Sequence, residues 1–286
     1  MPTRVVCVIP TFQPDASLLS RLRAVRSSVD LVVVSDDASS CSSDLVLAGA
    51  INEGVTVVRH AHNCGIARGL NDGLRLAADL GADWLLSVDQ DTDLEEDHVT
   101  RLLADARSRG AAGVRVGAIG VPLIVDVSGS IHIPGRPTAQ GDETEELIQS
   151  GTLWSIAALE DIGGFDESLG IDAVDAAACL RLRERGYSVC LTPGTSVRHR
   201  IGAARLVRVF GHEAMITGHS PGRRTTMLRN RLRLFPAEFH QSPRHALRTL
   251  RRVSINQFLG LILERDKWSK ARGSARALLP RSDPDD

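Results

Sequence analysis

Trp84-Leu85-Leu86-Ser87-Val88 is a short apolar run that breaks off at Asp89-Gln90-Asp91. Such a run, too short for a helix and ended by a polar cluster, reads as a buried strand. The same layout occurs twice upstream. Arg4-Val5-Val6-Cys7-Val8-Ile9 stops at Pro10, and Leu31-Val32-Val33-Val34 gives way to Ser35-Asp36-Asp37-Ala38-Ser39-Ser40. A further strand is expected over 55–59. Helical patterns separate these runs: 16–28, with Leu18, Leu19, Leu22 and Val25 on one face, and 67–80, stopped by Gly81. Strands alternating with helices require right-handed crossovers, hence an α/β fold with a doubly wound, mostly parallel sheet. In open sheets of this kind ligands bind outside the carboxyl ends of the strands. Pro10-Thr11-Phe12, Asp36-Asp37 and Asp89-Gln90-Asp91 each follow a strand directly, so folding gathers all three at one sheet edge.

Downstream, 116–133 breaks into shorter strand-like pieces, and 136–146 is polar, interrupted by Gly and Pro, and reads as a mobile loop. A helix over about 172–185 leads to a strand over 188–191. Past Ile201 the chain reads as mostly helical and rich in arginine, with a frayed tail over 280–286. These shifts predict a catalytic domain over 1–202, with a donor half to about 120 and an acceptor half over 121–202, followed by a helical basic region over 203–286.

The 286 residues are 43% hydrophobic and 24% charged, ordinary for a globular protein, while aromatics at 3% leave little surface for stacking bases. The five cysteines include no C-x-x-C pair, which argues against a disulfide framework and a zinc site. They read as small core or loop residues. Met1-Pro2-Thr3-Arg4 lacks a signal-peptide layout, and no apolar run approaches the ~20 residues that span a bilayer. The expected location is the cytoplasm. The net charge of −1 conceals a split: residues 1–199 hold 16 Lys and Arg against 28 Asp and Glu, and 200–286 hold 18 against 7. An acidic body suits a divalent cation, and a basic end suits phosphates or an anionic membrane. The acidic body would repel nucleic acid.

There is no G-x-G-x-x-G after the first strand and no G-x-x-x-x-G-K-[ST], which weakens dinucleotide and P-loop readings. The segment 62–71 leads into a helix whose first N–H groups could face a phosphate or sugar, or simply start a closely packed helix. Asp89 and Asp91, at i and i+2, point the same way if the backbone stays extended, and hard oxygen donors suit Mg²⁺ or Mn²⁺. Asp93, Glu95 and Glu96 follow, so a solvated acidic turn is an equal alternative. Asp172 and Asp175 share a helix face if both are helical; Asp172 equally suits a helix N-cap.

Val8-Ile9-Pro10-Thr11-Phe12, Asp36-Asp37-Ala38-Ser39, Asn63-x-Gly65-x-Ala67 with Asn71, and Val88-Asp89-Gln90-Asp91 occur in order. Ser150-Gly151-Thr152, Gly163-Gly164-Phe165-Asp166-Glu167, Ile171-Asp172-x-Val174-Asp175, His199, and His219-Ser220-Pro221 with Arg229-Asn230 follow. Together, over about 4–235, this series resembles the inverting glycosyltransferases of family 2, of GT-A fold, in their bacterial rhamnosyltransferase-like branch. The resemblance implies that Thr11 and Asp37 lie against the donor's base and ribose with Asp36 beside them, and that Asn63, Gly65 and Asn71 line the nucleotide-sugar. It implies Asp89, Asp91 and His199 as metal ligands and Asp175, with Asp172 a turn before it, as the base. Pro10, Phe12, Gln90, Gly151, Thr152 and Arg229 join the substrate-binding set.

The chemistry asks for a similar set. A sugar hydroxyl is a weak nucleophile at neutral pH, so a carboxylate must take its proton as it attacks, and a cation can carry the charge of the departing diphosphate. Two departures affect acceptor contacts: Ala177 stands where the branch has an acidic residue, and Thr225-Thr226 where it often has aromatics. The expectation is a metal-dependent, inverting glycosyltransferase using Mg²⁺ or Mn²⁺. Its donor would be dTDP-L-rhamnose, with a UDP-hexose or UDP-galactofuranose as the alternative, and its acceptor a saccharide or lipid-linked saccharide. The rivals are a nucleotidyltransferase, disfavoured by 10–14, and a nucleotide-sugar-binding protein without turnover. Arg244, Arg248, Arg251 and Arg252, beside Leu247, Leu250 and Val253, suit a basic amphipathic helix for a membrane surface or for a second subunit in a homo-oligomer, or simply a solvated face.

Overall fold

The computed structural model describes residues 3–126, 129–199, 205–209, 212–216, 219–263, 268 and 272–273. The chain forms two compact units, Met1–Gly170 with Val174–Arg200, and Ile171–Ala173 with Ile201–Asp286.

The first unit runs β1 (Val5–Thr11), α1 (Ser17–Arg26), β2 (Leu31–Asp36), α2 (Asp44–Asn52), β3 (Thr56–Arg59), α3 (Ile66–Asp79), β4 (Trp84–Ser87), β5 (Thr92–Leu94) and α4 (His98–Ala111). It continues with β6 (Val116–Gly120), β7 (Leu123–Asp126), β8 (Gly129–His132), β9 (Thr152–Ser155), α5 (Ile156–Asp161), α6 (Val174–Glu184), β10 (Ser188–Leu191) and β11 (Ser196–His199). Seven strands in the order β10-β6-β9-β4-β1-β2-β3 make the main sheet, parallel except for β9, which runs against β4 and β6. A second sheet, β5-β11-β7-β8, pairs β11 antiparallel with β5 and parallel with β7.

Val5 to Ile9 are buried on both faces of β1, as a central parallel strand covered by helices requires. The strand runs past Pro10 to Thr11 rather than stopping there. Val5 and Thr11 bond towards β2 and Val8 towards the β4 side, so the N–H that Pro10 lacks would face the side where β4 has already ended. On α3, Gly69 and Gly73 face β1; a Cβ on Gly73 would clash with Val8, so the glycines let the helix lie directly on the strand. Trp154 is wholly buried, donates from Nε1 to Ser87 Oγ (2.8 Å) and meets Phe165 edge-on at 5.4 Å.

Three helices, α2, α4 and α5, lie where the sequence suggested none. The loop expected to be mobile over 136–146 is tied at both ends: Arg136 and Glu143 exchange backbone hydrogen bonds, and Thr144 N–H donates to the Val189 carbonyl (2.9 Å). All five cysteines are free; burial raises the thiol pKa values of Cys7, Cys179 and Cys190, the last to about 11.

The second unit is not purely helical: β12 (Arg205–Val209) and β13 (His212–Ile216) form an antiparallel pair before α7 (Pro221–Gln241) and α8 (Pro243–Leu263). Ser220 caps α7 through its hydroxyl, with Pro221 in the first turn. The two helices are antiparallel, joined at Arg224, whose guanidinium donates to the Asn256 carbonyl (2.9 Å) and whose own carbonyl accepts from Gln257 (2.8 Å). The tail over 280–286 lies outside the described residues. Among the described residues no helix is long and apolar enough to cross a membrane.

Candidate active site

The carboxyl end of β4 delivers Asp89 and Asp91, and antiparallel pairing of β11 with β5 sets His199 opposite Thr92. His199 Nε2 lies 3.6 Å from Asp89 Oδ2 and Nδ1 3.5 Å from Asp91 Oδ1. The ligand atoms of the three residues fall within 4.8 Å of one another, and all three are partly exposed. A buried chain of hydroxyls stands behind them. Ser150 Oγ accepts the Asp89 N–H (2.9 Å) and donates to Thr92 Oγ1 (2.6 Å), which is 2.7 Å from His199 Nδ1. Thr92 can donate to that nitrogen or accept from it, so it accommodates either imidazole tautomer.

Two carboxylates and an imidazole fit Mn²⁺ or Mg²⁺ by donor type, with a hydrogen-bonded second layer of the kind that orients metal-bound histidines. The residues present therefore fit the cation that the sequence led us to expect.

Gln149, missed in the sequence, connects this cluster to Asp175. Its side-chain amide donates from Nε2 to Asp89 Oδ1 (2.6 Å), and its backbone N–H donates to Asp175 Oδ2 (3.0 Å). Its carbonyl accepts from Ser87 Oγ, the hydroxyl that also receives the Trp154 indole. Asp175 sits in the first turn of α6, where its Oδ1 also accepts the N–H of Ala176 (2.8 Å). Asp172 does not share its helix face: it has φ +68°, outside α6, in the second unit, and its carboxylate pairs with Arg223 at 3.1 Å. Asn230 donates to its carbonyl (2.9 Å).

At the end of β2 the adjacent carboxylates diverge. Asp36 is 0% exposed and is engaged by Ser39 and by Arg59 at 3.3 Å, so it has no surface to offer a ligand. Asp37, only partly exposed, shapes the next loop, accepting the N–H of Cys64 (2.6 Å) and of Gly65 (3.0 Å), with His60 Nδ1 at 3.3 Å. Asp37, His60 and Cys64 form a second cluster of potential ligands, but His60 Nε2 is taken by Asp72 at 2.6 Å. Gly65 has φ +86°, and a Cβ there would lie 2.6 Å from the Gly170 carbonyl oxygen. Asn63 is exposed beside it.

Several residues expected to touch substrate are also held within the scaffold. Thr11 is buried, within 3.5 Å of Asp36. Thr152 is buried and donates to the Ile148 carbonyl (2.7 Å). Asn71 clamps the turn after α5, accepting the Phe165 N–H (2.8 Å) and donating to the Phe165 carbonyl and Glu167. Gln90 exchanges two hydrogen bonds with the backbone of Phe12, at 2.9 and 3.1 Å, tying the ends of β1 and β4 while the Phe12 ring stays exposed. Pro10 is half-buried. Gly151 has φ +77°, and a Cβ would lie 2.5 Å from Val197. Its carbonyl accepts from Nε2 of buried His98 (2.9 Å), whose Nδ1 has no hydrogen-bond partner among the described residues. Burial lowers the His98 pKa against the opposing pull of that hydrogen bond. Arg229 lies on α7, in the second unit. A cavity of about 540 Å³ between α1 and the start of α4 takes Asp89 and Gln90 into its wall but none of Asp37, Asp91, Asp175 or His199. It is a neighbouring cleft.

The sequence model described as Glycosyl transferase family 2 matches residues 6–148, half of the chain. The chain is 28% identical over 245 residues, 80% of its length and 79% of the relative's, to the dTDP-rhamnosyl transferase RfbF of Shigella flexneri. Among solved structures, it resembles S. aureus TarS 1–349 in complex with UDP-GlcNAc, with TM-score 0.64 and 17% identity, covering 96% of this chain and 80% of that one. The UDP complex of the same protein gives TM-score 0.54 and 15% identity over 96% and 71%. These structures share the GT-A fold. By its sequence match, this chain belongs to glycosyl transferase family 2 and is a glycosyltransferase.

Proposed function

We propose that the enzyme transfers an L-rhamnosyl group from dTDP-L-rhamnose to a hydroxyl of a saccharide or lipid-linked saccharide, with inversion at the anomeric carbon. The observation that carries this reading is the bridge through Gln149, which holds Asp89 and Asp175 in one hydrogen-bonded frame at the carboxyl edge of the sheet. The choice of rhamnose rests on the 28% identical relative, which spans most of both chains. A UDP-linked sugar is the alternative; the TarS likeness, at 17% identity, supports the fold alone.

Asp175 is the base. Two backbone N–H groups fix its carboxylate, which takes the acceptor hydroxyl proton as that oxygen attacks the anomeric carbon. The bond to the nucleoside diphosphate breaks on the opposite face. Asp89, Asp91 and His199 would hold Mg²⁺ or Mn²⁺, which would supply positive charge to offset the negative charge of the departing diphosphate. Asp37 holds the loop over 62–65 against the donor nucleotide, with Asn63 and Gly65 at its surface. Asp172, paired with Arg223, has no part in proton transfer.

The test is nucleoside diphosphate release from a panel of dTDP- and UDP-sugars with saccharide acceptors. Release of dTDP from dTDP-rhamnose, lost in Asp175→Asn while dTDP binding persists, is the expected result. Turnover of UDP-sugars alone would overturn the rhamnosyl assignment, and an active Asp175→Asn the assignment of the base.

A further inference from the structure

The exposed side of α8 combines charge and apolar surface in a way its own fold does not explain. At 3.6 residues per turn, Arg244, Leu247, Arg248, Arg251, Arg252, Ile255 and Phe258 fall within an arc of about 140°, and all seven are exposed. Leu247 is 54%, Ile255 48% and Phe258 62% exposed. The opposite side, Ala246, Thr249, Gln257 and Gly260, is buried. Leu250 and Val253, grouped with Leu247 in the sequence, are half-buried and do not share this face.

Nothing local accounts for the arginines. The helix contains no Asp or Glu, and none of the four arginines pairs with a carboxylate among the described residues. All four lie in its N-terminal half, where the helix dipole disfavours positive charge. Large apolar side chains interleaved with unpaired arginines suit a surface that is anionic at the level of the guanidinium groups and apolar just beneath. Arginine stems lie along apolar surface while their heads reach the charge.

We infer that this face docks the enzyme in the headgroup layer of an anionic phospholipid bilayer, lying in its plane. The size of the patch favours a membrane over a second protein. From 244 to 258 it is about 21 Å long and about 10 Å wide, about 200 Å². A stable protein interface needs about 800 Å² from each partner. An interfacial helix needs only its own apolar stripe and basic flank. This inference does not depend on which sugar is transferred.

Co-sedimentation of the full chain with vesicles tests it, using phosphatidylcholine alone and phosphatidylcholine mixed with phosphatidylglycerol, at low and high salt. The chain is expected to partition onto the mixed vesicles, with salt weakening the binding, and to leave phosphatidylcholine alone in solution. Arg248→Gln with Arg252→Gln should weaken partitioning by about 10- to 30-fold. Ile255→Asp with Phe258→Asp should abolish it, and unchanged melting temperatures serve as the folding control. The arginine pair decides the matter if the aspartate pair does not fold. Absence of binding to mixed vesicles, or wild-type binding by both variants, would overturn the inference. So would self-association of the free chain that Phe258→Asp abolishes, which would assign the face to a second copy.

Discussion

The carboxyl edge of the main sheet and the outer face of α8 handle charge in opposite ways. At the sheet edge, Asp36, Asp37, Asp89 and Asp175 each accept hydrogen bonds from named partners, and even Gln149 is held at its N–H, carbonyl and amide. On α8, four arginines stand exposed without a carboxylate on the helix. A buried charge that loses its partner is expensive, whereas an exposed one costs little to leave alone. The first region is therefore built to hold one geometry, and the second to meet something outside the chain.

Substitutions can break that contrast. The largest effect is expected at Asp175→Asn, where loss of the base should lower kcat by about 10²- to 10⁴-fold with donor affinity retained; steady-state kinetics and dTDP titration separate the two. Gln149→Leu should lower kcat and Mn²⁺ affinity together by about 10- to 100-fold, read by metal titration as well as turnover. A parallel loss in melting temperature without a change in metal affinity would make Gln149 a packing residue only.

Stability gives the next contrast. Gly73→Ala should cost about 1–3 kcal/mol in denaturant unfolding, because its Cβ meets Val8 across a packed helix–strand contact. Burial of His98 sets a pH dependence. With its folded pKa below the ordinary 6.5, the unfolded state binds more protons between the two values. Stability is then fully present above about pH 6.5 and declines as the pH falls towards the folded value. Protonation would also place an N–H on Nδ1 that has no acceptor among the described residues. Melting temperatures across that range should fall more steeply for the wild type than for His98→Gln. The smallest effect is expected at Arg248→Gln with Arg252→Gln, within about 0.5 kcal/mol in unfolding. A larger loss would mean that those arginines stabilise the chain itself.

The sheet edge was legible because β1, β2 and β4 are apolar on both faces and end in polar clusters that the topology brings together. Helix α4 left a signal that went unread: Val99, Leu102 and Ala106 keep helical spacing inside a stretch dominated by Arg, Asp and Ser. Alternation in Arg205-Leu206-Val207-Arg208-Val209 likewise pointed to β12. Gln149 could not be read, since it meets Asp89 across 60 residues and uses backbone as much as side chain. The spacing of Asp172 and Asp175 misled because the positive φ angles of Asp172 and Ala173 delay the start of α6, which no local rule anticipates for these residues. The side-chain hydrogen bonds of Thr11, Thr152 and Asn71 point into the scaffold, which residue type alone does not reveal.

The central claim is most directly tested by thermal shift of the full chain against dTDP, UDP, GDP and CDP, each with and without Mn²⁺. A ligand that binds only the folded state raises the melting temperature by mass action. A Mn²⁺-dependent shift with dTDP that exceeds that with UDP, and is lost in Asp91→Ala, is the predicted result. No shift with any nucleotide, with or without metal, would contradict a donor site at the ends of β1, β2 and β4.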